Sequence, residues 1–345
     1  MLLKLWIFTM ATFLLVQVSK SAPPGVEWYH FGLIADMDKK SISPSDRNTF
    51  NSILKIDELR HNTRTGRYNF VISRVKKPVS TRFGYKGRGA ELSEILIFNK
   101  QLYTFDDKTG IVFRMTKDGK LIPWVVLANG DGKQPDGFKA EWATVKNDKI
   151  YVGSTGITFK DEKGNANTQS LWVKEITKDG SVTSHDWSQK YKKIREAMKL
   201  PEQGFVWHEA VIWSQIRKEW IFLPRKCSHL AFTPSSEEAS GCNLIITADE
   251  KFQNIKVIPV RDHPAEIASG FPAFKFIPGT NNEKLLALRT IEQGEKIATY
   301  AVVIDMEGNV LMPERKLYDE KYEGVAFFGG VRKNKFRLKK LNLKK

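Results

Sequence analysis

The sequence predicts an all-β protein, a five-bladed β-propeller with minor peripheral helices. Three observations carry that expectation: short runs rich in Val, Ile, Tyr, Phe and Trp from residue 67 onward, Asp-Gly and Asn-Gly turns between them, and one strand–turn–strand pattern that recurs five times. The first two are the signature of a β-meander, because primed turns at such dipeptides match the twist of the strands they join.

Taken in order, the runs are Tyr68 to Arg74, Ile95 to Phe98, Leu102 to Phe105, Ile111 to Met115 and Ile150 to Gly153, with turns at Asp118-Gly119 and Asp179-Gly180. Helical periodicity is confined to Ser45 to Leu59 and to Trp187 to Met198, the second capped by Asp186 and stopped near Pro201. The recurring segments are AELSEILIFNKQLYTFD, FKAEWATVKNDKIYVGS, WHEAVIWSQIRKEWIFLPR, GFPAFKFIPGTNNEKLLALR and the truncated KYEGVAFFG. Each begins with a small or acidic anchor followed by an apolar strand, a polar turn and a second apolar strand. The anchors Ser93, Glu141, Glu209, Pro272 and Glu323 are separated by 48, 68, 63 and 51 residues. A period of that length with two to four strands per unit points to propeller blades, which bury their faces only by stacking around a channel. A jelly roll or two-sheet sandwich accounts for the strands and turns but not for the recurrence.

Composition sets the class of molecule. The 345 residues are 41% hydrophobic and 27% charged, which excludes disorder as the main state. Lys and Arg outnumber Asp and Glu by 55 to 39, a net +16, so the natural partners are anionic: nucleotides, heparin-like polymers, acidic surfaces or nucleic acid, for which no specific recognition motif is present. Residues 1–22 combine Lys4, an apolar run from Leu5 to Val16 and small residues at Ser19, Ser21 and Ala22, the pattern of a secretory signal peptide. No stretch reaches the length of a membrane span. The expected organisation is a signal peptide at 1–22, a single propeller domain at 23–330 and a basic tail at 331–345, which carries eight Lys or Arg and no acid and reads either as an anchor for an anionic surface or as a solvated terminus. Export implies an oxidising compartment, where Cys227 and Cys242 are expected to form a disulfide across neighbouring strands, with two separate buried thiols as the alternative.

If the repeat is real, Glu141, Glu209 and Glu323 converge near the axis from three blades. Like charges so placed need a compensating cation or raised pKa values. Oxygen donors without imidazole or thiolate companions select a hard ion such as Ca²⁺, and the sequence HEAVIW is not the zinc motif HExxH. The alternative is that each glutamate forms an ion pair of its own. Candidate phosphate contacts are Lys86 and Arg88 of KGRG, Lys139, Arg225, Lys275 and Arg289, each of which, taken singly, reads more readily as a solvated blade-face residue. No Walker loop, GxGxxG or GxSxG is present.

Nine ordered motifs then carry a resemblance. IADMD at 34–38, KGRGAELSE at 86–94, LYTFDDKTG at 102–110, PWVVLANGDG at 123–132, GFKAEW at 137–142, WHEA at 207–210, FLPRK at 222–226, FKFIP at 274–278 and KYEG at 321–324 resemble the calcium-activated nucleotidase family, and within it the salivary apyrases of blood-feeding insects. The resemblance implies a five-bladed propeller with one central Ca²⁺, hydrolysing nucleoside di- and triphosphates. By motif it implies calcium ligands at Ser93, Glu141, Glu209, position 272 and Glu323. Family members often have Ser at that fourth position; Pro272 retains only a backbone carbonyl to offer. The resemblance further assigns Asp36 to the IAD aspartate, Asp106 and Asp107 to the paired acids and Arg225 to the phosphate-contacting arginine, and we take Asp36 as the group that activates water. The expected protein is a secreted Ca²⁺-dependent apyrase that converts ATP and ADP to AMP and phosphate and so removes ADP, a platelet agonist, at a bite. The alternatives are a propeller that sequesters nucleotides without turnover and a cationic module that binds heparin-like polymers.

Overall fold

A computed structural model describes residues 25–160 and 163–329, so the expected signal peptide and basic tail lie outside the described residues. Five antiparallel sheets are arranged as propeller blades. Blade 1 is Leu92–Phe98, Gln101–Asp106, Ile111–Met115 and Leu121–Val126; blade 2 is Trp142–Lys146, Lys149–Gly153, Trp172–Ile176 and Val182–Asp186. Blade 3 is Ala210–Ser214, Glu219–Leu223, Leu244–Asp249 and Ile255–Pro259, and blade 4 is Phe274–Phe276, Lys284–Gln293, Lys296–Asp305 and Val310–Tyr318. The first-named strand of each is innermost, and these strands meet their neighbours in cyclic order around the axis.

Blade 5 explains the truncated fifth repeat. Its inner strand, Tyr322–Phe327, pairs with Val26–Ala35 from the other end of the chain, with Leu33 opposite Val325 and Phe31 opposite Phe327. Phe50–Asn62 and Tyr68–Val71 continue the sheet outward. The ring is thus closed by strand pairing between the two ends of the fold, and Phe31, Leu33, Leu59, Tyr322 and Val325 share one core with Leu286 and Val303 of blade 4. Burying such side chains stabilises the closure by roughly 1.5–3 kcal/mol each.

The uneven repeat spacing has a physical cause. The 68-residue interval contains an excursion after Gly153 and the helix α1, Ser188–Ala197, whose Tyr191 and Ile194 are buried against Trp142 and Trp187. The N-cap position is Trp187, which makes no side-chain cap; Asp186, where the sequence placed the cap, lies one residue earlier and accepts from the Ser188 backbone N–H at 2.7 Å. The 63-residue interval contains residues 228–241, with a short helix α2, Pro234–Glu238, that the sequence reading did not anticipate; Thr233 Oγ1 caps it by accepting from Ser236 N–H at 3.0 Å. The Asp-Gly turns form as expected, with Gly119 and Gly180 at φ +85° and +91°, a conformation that costs glycine least.

One element differs from expectation. The stretch expected to be helical at Ser45 to Leu59 holds a tight turn, where Asp46 accepts from Asn48 N–H at 3.0 Å, and then the 13-residue strand Phe50–Asn62. Both of its edges are taken, by Val26–Ala35 on one side and by Tyr68–Val71 and Lys76–Thr81 on the other. Spacing that also fits a helix is overridden by that pairing.

Cys227 and Cys242 are bonded, with Cα atoms 5.2 Å apart, but not strand to strand: Cys227 lies in Lys226–Ser228 and Cys242 in the loop before Leu244–Asp249. The bond closes the base of the 228–241 excursion. Replacing both cysteines by serine should destabilise the fold by about 3 kcal/mol on a chain-entropy estimate for a loop of this length. Urea unfolding of the two forms measures it, and equal midpoints would show that the excursion is held by its other contacts alone.

Candidate active site

All five repeat anchors fall at the starts of inner strands. Glu141 and Glu209 immediately precede the inner strands of blades 2 and 3, Ser93 and Glu323 are the second residues of those of blades 1 and 5, and Pro272 lies two before that of blade 4. Backbone bonds fix these starts: Glu141 N–H donates to Gly153 O at 2.8 Å within blade 2, Asp36 N–H to Lys321 O at 3.0 Å within blade 5, and His208 N–H to Thr155 O at 2.9 Å between blades 3 and 2. Gly270 passes so close to Arg225 that a Cβ there would sit 1.6 Å from the Arg225 carbonyl oxygen, so only glycine lets the blade 4 segment approach.

These starts open into a cavity of about 640 Å³. It is lined by eleven acids against six bases, in a protein whose net charge is +16. Eight of the residues expected from sequence are there together: Asp36, Arg88, Asp107, Lys139, Glu141, Glu209, Arg225 and Glu323. Arg225, 3% exposed, bonds Glu209 and Glu323 through Nη1, the second at 3.2 Å, with Nη2 3.7 Å from Glu292. Lys139 donates to Asp107 at 2.8 Å and to Glu141. Lys321 lies 2.7 Å from Asp36, 3.1 Å from Asp38 and 3.5 Å from both Glu292 and Glu323. Arg88 bridges Glu91 and Asp38, the latter at 3.1 Å.

The electrostatics follow from burial. Loss of water pushes Glu141 up to about 8, with Lys139 pulling down and the charges of Glu209 and Asp107 pushing further up. Burial likewise raises Glu323 well above the carboxylate range and Glu91 to about 7. Burial acts on Asp36 in the same sense but is outweighed by Lys321, which holds its carboxyl below the ordinary value. Glu141 and Glu323, buried at the axis, therefore resist ionising without a further positive charge. The donor set is all oxygen: His208, beside Glu209, turns away to stack on Tyr191 at 5.1 Å and is kept neutral, its pKa lowered to about 3 by burial. Such donors fit a hard divalent ion better than zinc. Among the described residues, the acids whose oxygens come within 4.8 Å of one another are Asp36, Asp38 and Glu91, and not Glu141, Glu209 and Glu323; Lys321 and Arg88 bridge the first group as Arg225, Lys139 and Lys321 bridge the three glutamates.

The remaining expected residues lie elsewhere. Ser93 is buried with its hydroxyl donating to the Ala140 carbonyl and lying 3.3 Å from that of Phe105, and Pro272 is buried, so neither side chain lines the cavity. Asp106 organises a turn by accepting from the backbone N–H groups of Ala90, Lys108 and Thr109 at 2.9–3.1 Å. Lys86 places its ammonium 4.8 Å over the ring of Tyr85. Lys275 pairs with Glu94 at 2.6 Å and borders a separate pocket of about 290 Å³. Arg289 is enclosed by Asp262, Glu314 and Asn243 at 2.6–2.9 Å. The sequence reading missed Asp38, Glu91, Glu292, Lys321 and Trp207. Asp38, Glu91, Lys321 and Trp207 all lie inside quoted motifs, and that membership was the available signal.

The family profile described as Apyrase matches residues 36–328. An apyrase of Phlebotomus duboscqi is 48% identical over 326 residues, covering 94% of this chain and 96% of that protein. An apyrase of Cimex lectularius is 40% identical over 301 residues, covering 87% and 82%. A soluble calcium-activated nucleotidase 1 of Rattus norvegicus is 36% identical over 306 residues, covering 88% and 75%.

Proposed function

The chain belongs to the apyrase family, and from that premise we propose that it is a secreted, Ca²⁺-dependent hydrolase that cleaves ATP and ADP to AMP and phosphate, removing ADP as a platelet agonist during blood feeding. The observation that carries this reading is the reversal of charge: an acid-rich cavity in a strongly basic protein repels a polyanionic substrate unless a cation is bound within it. Glu141, Glu209 and Glu323 would hold the ion, with Ser93 and Pro272 contributing from the backbone. Calcium, when bound, supplies Lewis-acid polarisation of phosphate oxygens.

The protein's own groups supply the rest. Arg225, Arg88, Lys139 and Lys321 present fixed positive charge to the equatorial oxygens of the phosphoryl group in transfer, where charge spreads in the transition state. Asp36, kept ionised by Lys321 and by the Asp38 N–H at 2.9 Å, is an acceptor able to orient a water for attack. AMP carries a single phosphate and offers no phosphate leaving group, so the reaction should stop there.

A phosphate-release assay with nucleotide chromatography tests the reading. With Ca²⁺, ATP should yield two phosphates, ADP one and AMP none. Mg²⁺, which demands a tight octahedron and keeps its waters, should substitute poorly. Equal rates in Mg²⁺ after full calcium removal would sink the metal assignment, and binding without phosphate release would leave a nucleotide-sequestering propeller.

A further inference from the structure

Apart from Gly137, Pro234, Gly294 and two aromatics, every residue that lines the axial cavity is charged. The two aromatics, Tyr85 and Trp207, differ in how they are held. Tyr85 is engaged, its hydroxyl donating to Asp136 at 2.8 Å and the Lys86 ammonium over its ring. Trp207 ends the short strand Phe205–Trp207, opposite Lys226. Its neighbours Val206 and His208 turn into the core, so alternation puts Trp207 and Glu209 together on the cavity side, roughly 7 Å apart for residues i and i+2 of an extended chain.

The indole is braced by aromatic rings. Phe232 packs on it at 5.9 Å with planes 33° apart, and Phe159 meets it edge-on at 6.1 Å. Phe232 is itself fixed by edge contacts to Phe159 at 5.2 Å and Phe205 at 5.3 Å, and belongs to the excursion whose base Cys227–Cys242 closes. Among the described residues no ring stacks parallel on the indole. Lys139, bound to Asp107 and Glu141, holds its ammonium over the indole at 5.8 Å from the ring centre, farther than Lys86 from Tyr85, and ties this wall to the charged floor.

We propose that Trp207 is the nucleobase platform of the cavity. Resting on the nucleotide-hydrolase reading above, the base of a nucleoside di- or triphosphate stacks on the indole while its phosphates reach toward Glu209 and Arg225. A neutral, flat base gains little from charged walls and much from a braced π-face. Stacking reads area and not hydrogen-bonding edges, so the platform favours purine over pyrimidine nucleotides and treats adenine and guanine alike.

The test compares the unmodified protein with Trp207→Leu and Trp207→Phe, all with calcium. KM is measured for ADP, GDP, UDP and CDP, and tripolyphosphate, which has no base, is measured as a competing inhibitor. The unmodified protein should show lower KM for the two purines. Trp207→Leu should raise KM for ADP about tenfold, erase most of the purine preference and leave kcat and the tripolyphosphate inhibition constant within about twofold, while Trp207→Phe restores most of the loss. Equal purine and pyrimidine KM in the unmodified protein would overturn the proposal without any variant, which covers the case that Trp207→Leu fails to fold. An unchanged KM for ADP in a folded leucine variant, or a tripolyphosphate constant that rises in parallel, would overturn it as well. Absence of phosphate release from every nucleotide would reject the hydrolase reading instead, and calorimetric binding of ADP against tripolyphosphate would then read the platform directly.

Discussion

Replacing Glu209 by glutamine should lower turnover at least about a hundredfold and raise the calcium concentration for half-maximal activity by about ten- to a hundredfold. Glutamine keeps the shape and can still accept from Arg225, so the bond from Nη1 has a replacement partner and the fold should persist. What is lost is one of three axial negative charges. Glu141 and Glu323, both already pushed toward protonation, cannot replace it. The two readouts must move together, because the carboxylate proposed to hold the ion is also the one that accepts from Arg225. Calcium titration of phosphate release measures both, and an unaltered calcium dependence would remove Glu209 from the metal site.

Much of this site was legible in the sequence, for a physical reason. Propeller repeats begin at equivalent places on inner strands, so aligning apolar runs also aligns Glu141, Glu209 and Glu323, and the structure brings those three into one cavity. The same phase locates Ser93 and Pro272 at strand starts but says nothing of where their side chains turn. Lys275 and Arg289 show the limit most clearly. Lys275 lies beside an anchor and Arg289 on the strand that follows one, yet Lys275 follows an inner strand away from the acidic cavity to meet Glu94, and Arg289 sits on the second strand of blade 4 among Asp262 and Glu314. Charge beside an anchor does not specify direction.

Lys321 and Glu292 were hidden for the opposite reason. In sequence a lysine two residues before Glu323 is indistinguishable from a solvated one, and Glu292 reaches the cavity only because Lys284–Gln293 is ten residues long. The strand Phe50–Asn62 was misread because its apolar spacing serves a helix as well as a strand, and its pairing partners lie in distant parts of the chain. Trp207 stood inside a recognised motif, but its exposure to the cavity is a consequence of alternation around Val206 and His208, visible only once those two are seen to be core.

Replacing Arg225 by methionine should separate charge balance from catalysis. The guanidinium is almost fully buried and is shared by Glu209 and Glu323, with Glu292 nearby. Methionine keeps much of the volume but leaves those carboxylates with Lys321, 3.5 Å from Glu323 and Glu292, as their remaining close cation. Removing one partner of a buried ion pair costs about 3–5 kcal/mol, which corresponds to a melting midpoint lower by roughly 6–20 °C for a large domain in calcium-free buffer. Calcium should then stabilise the variant more than it stabilises the parent, because the ion compensates charges that arginine no longer balances, with about 2.7 kcal/mol available at a hundred times the dissociation constant. Turnover in saturating calcium should still fall by about 10²–10³, since the most deeply buried of the donors that meet the charge developing on the transferred phosphoryl group is gone. Thermal melts with and without calcium, set beside initial rates in saturating calcium, read the two effects independently. A variant as stable as the parent in calcium-free buffer would show that Arg225 does not balance the axial carboxylates. A variant that melts early but turns over normally once calcium is added would confine the arginine to charge balance and move the phosphate contact to Arg88, Lys139 or Lys321.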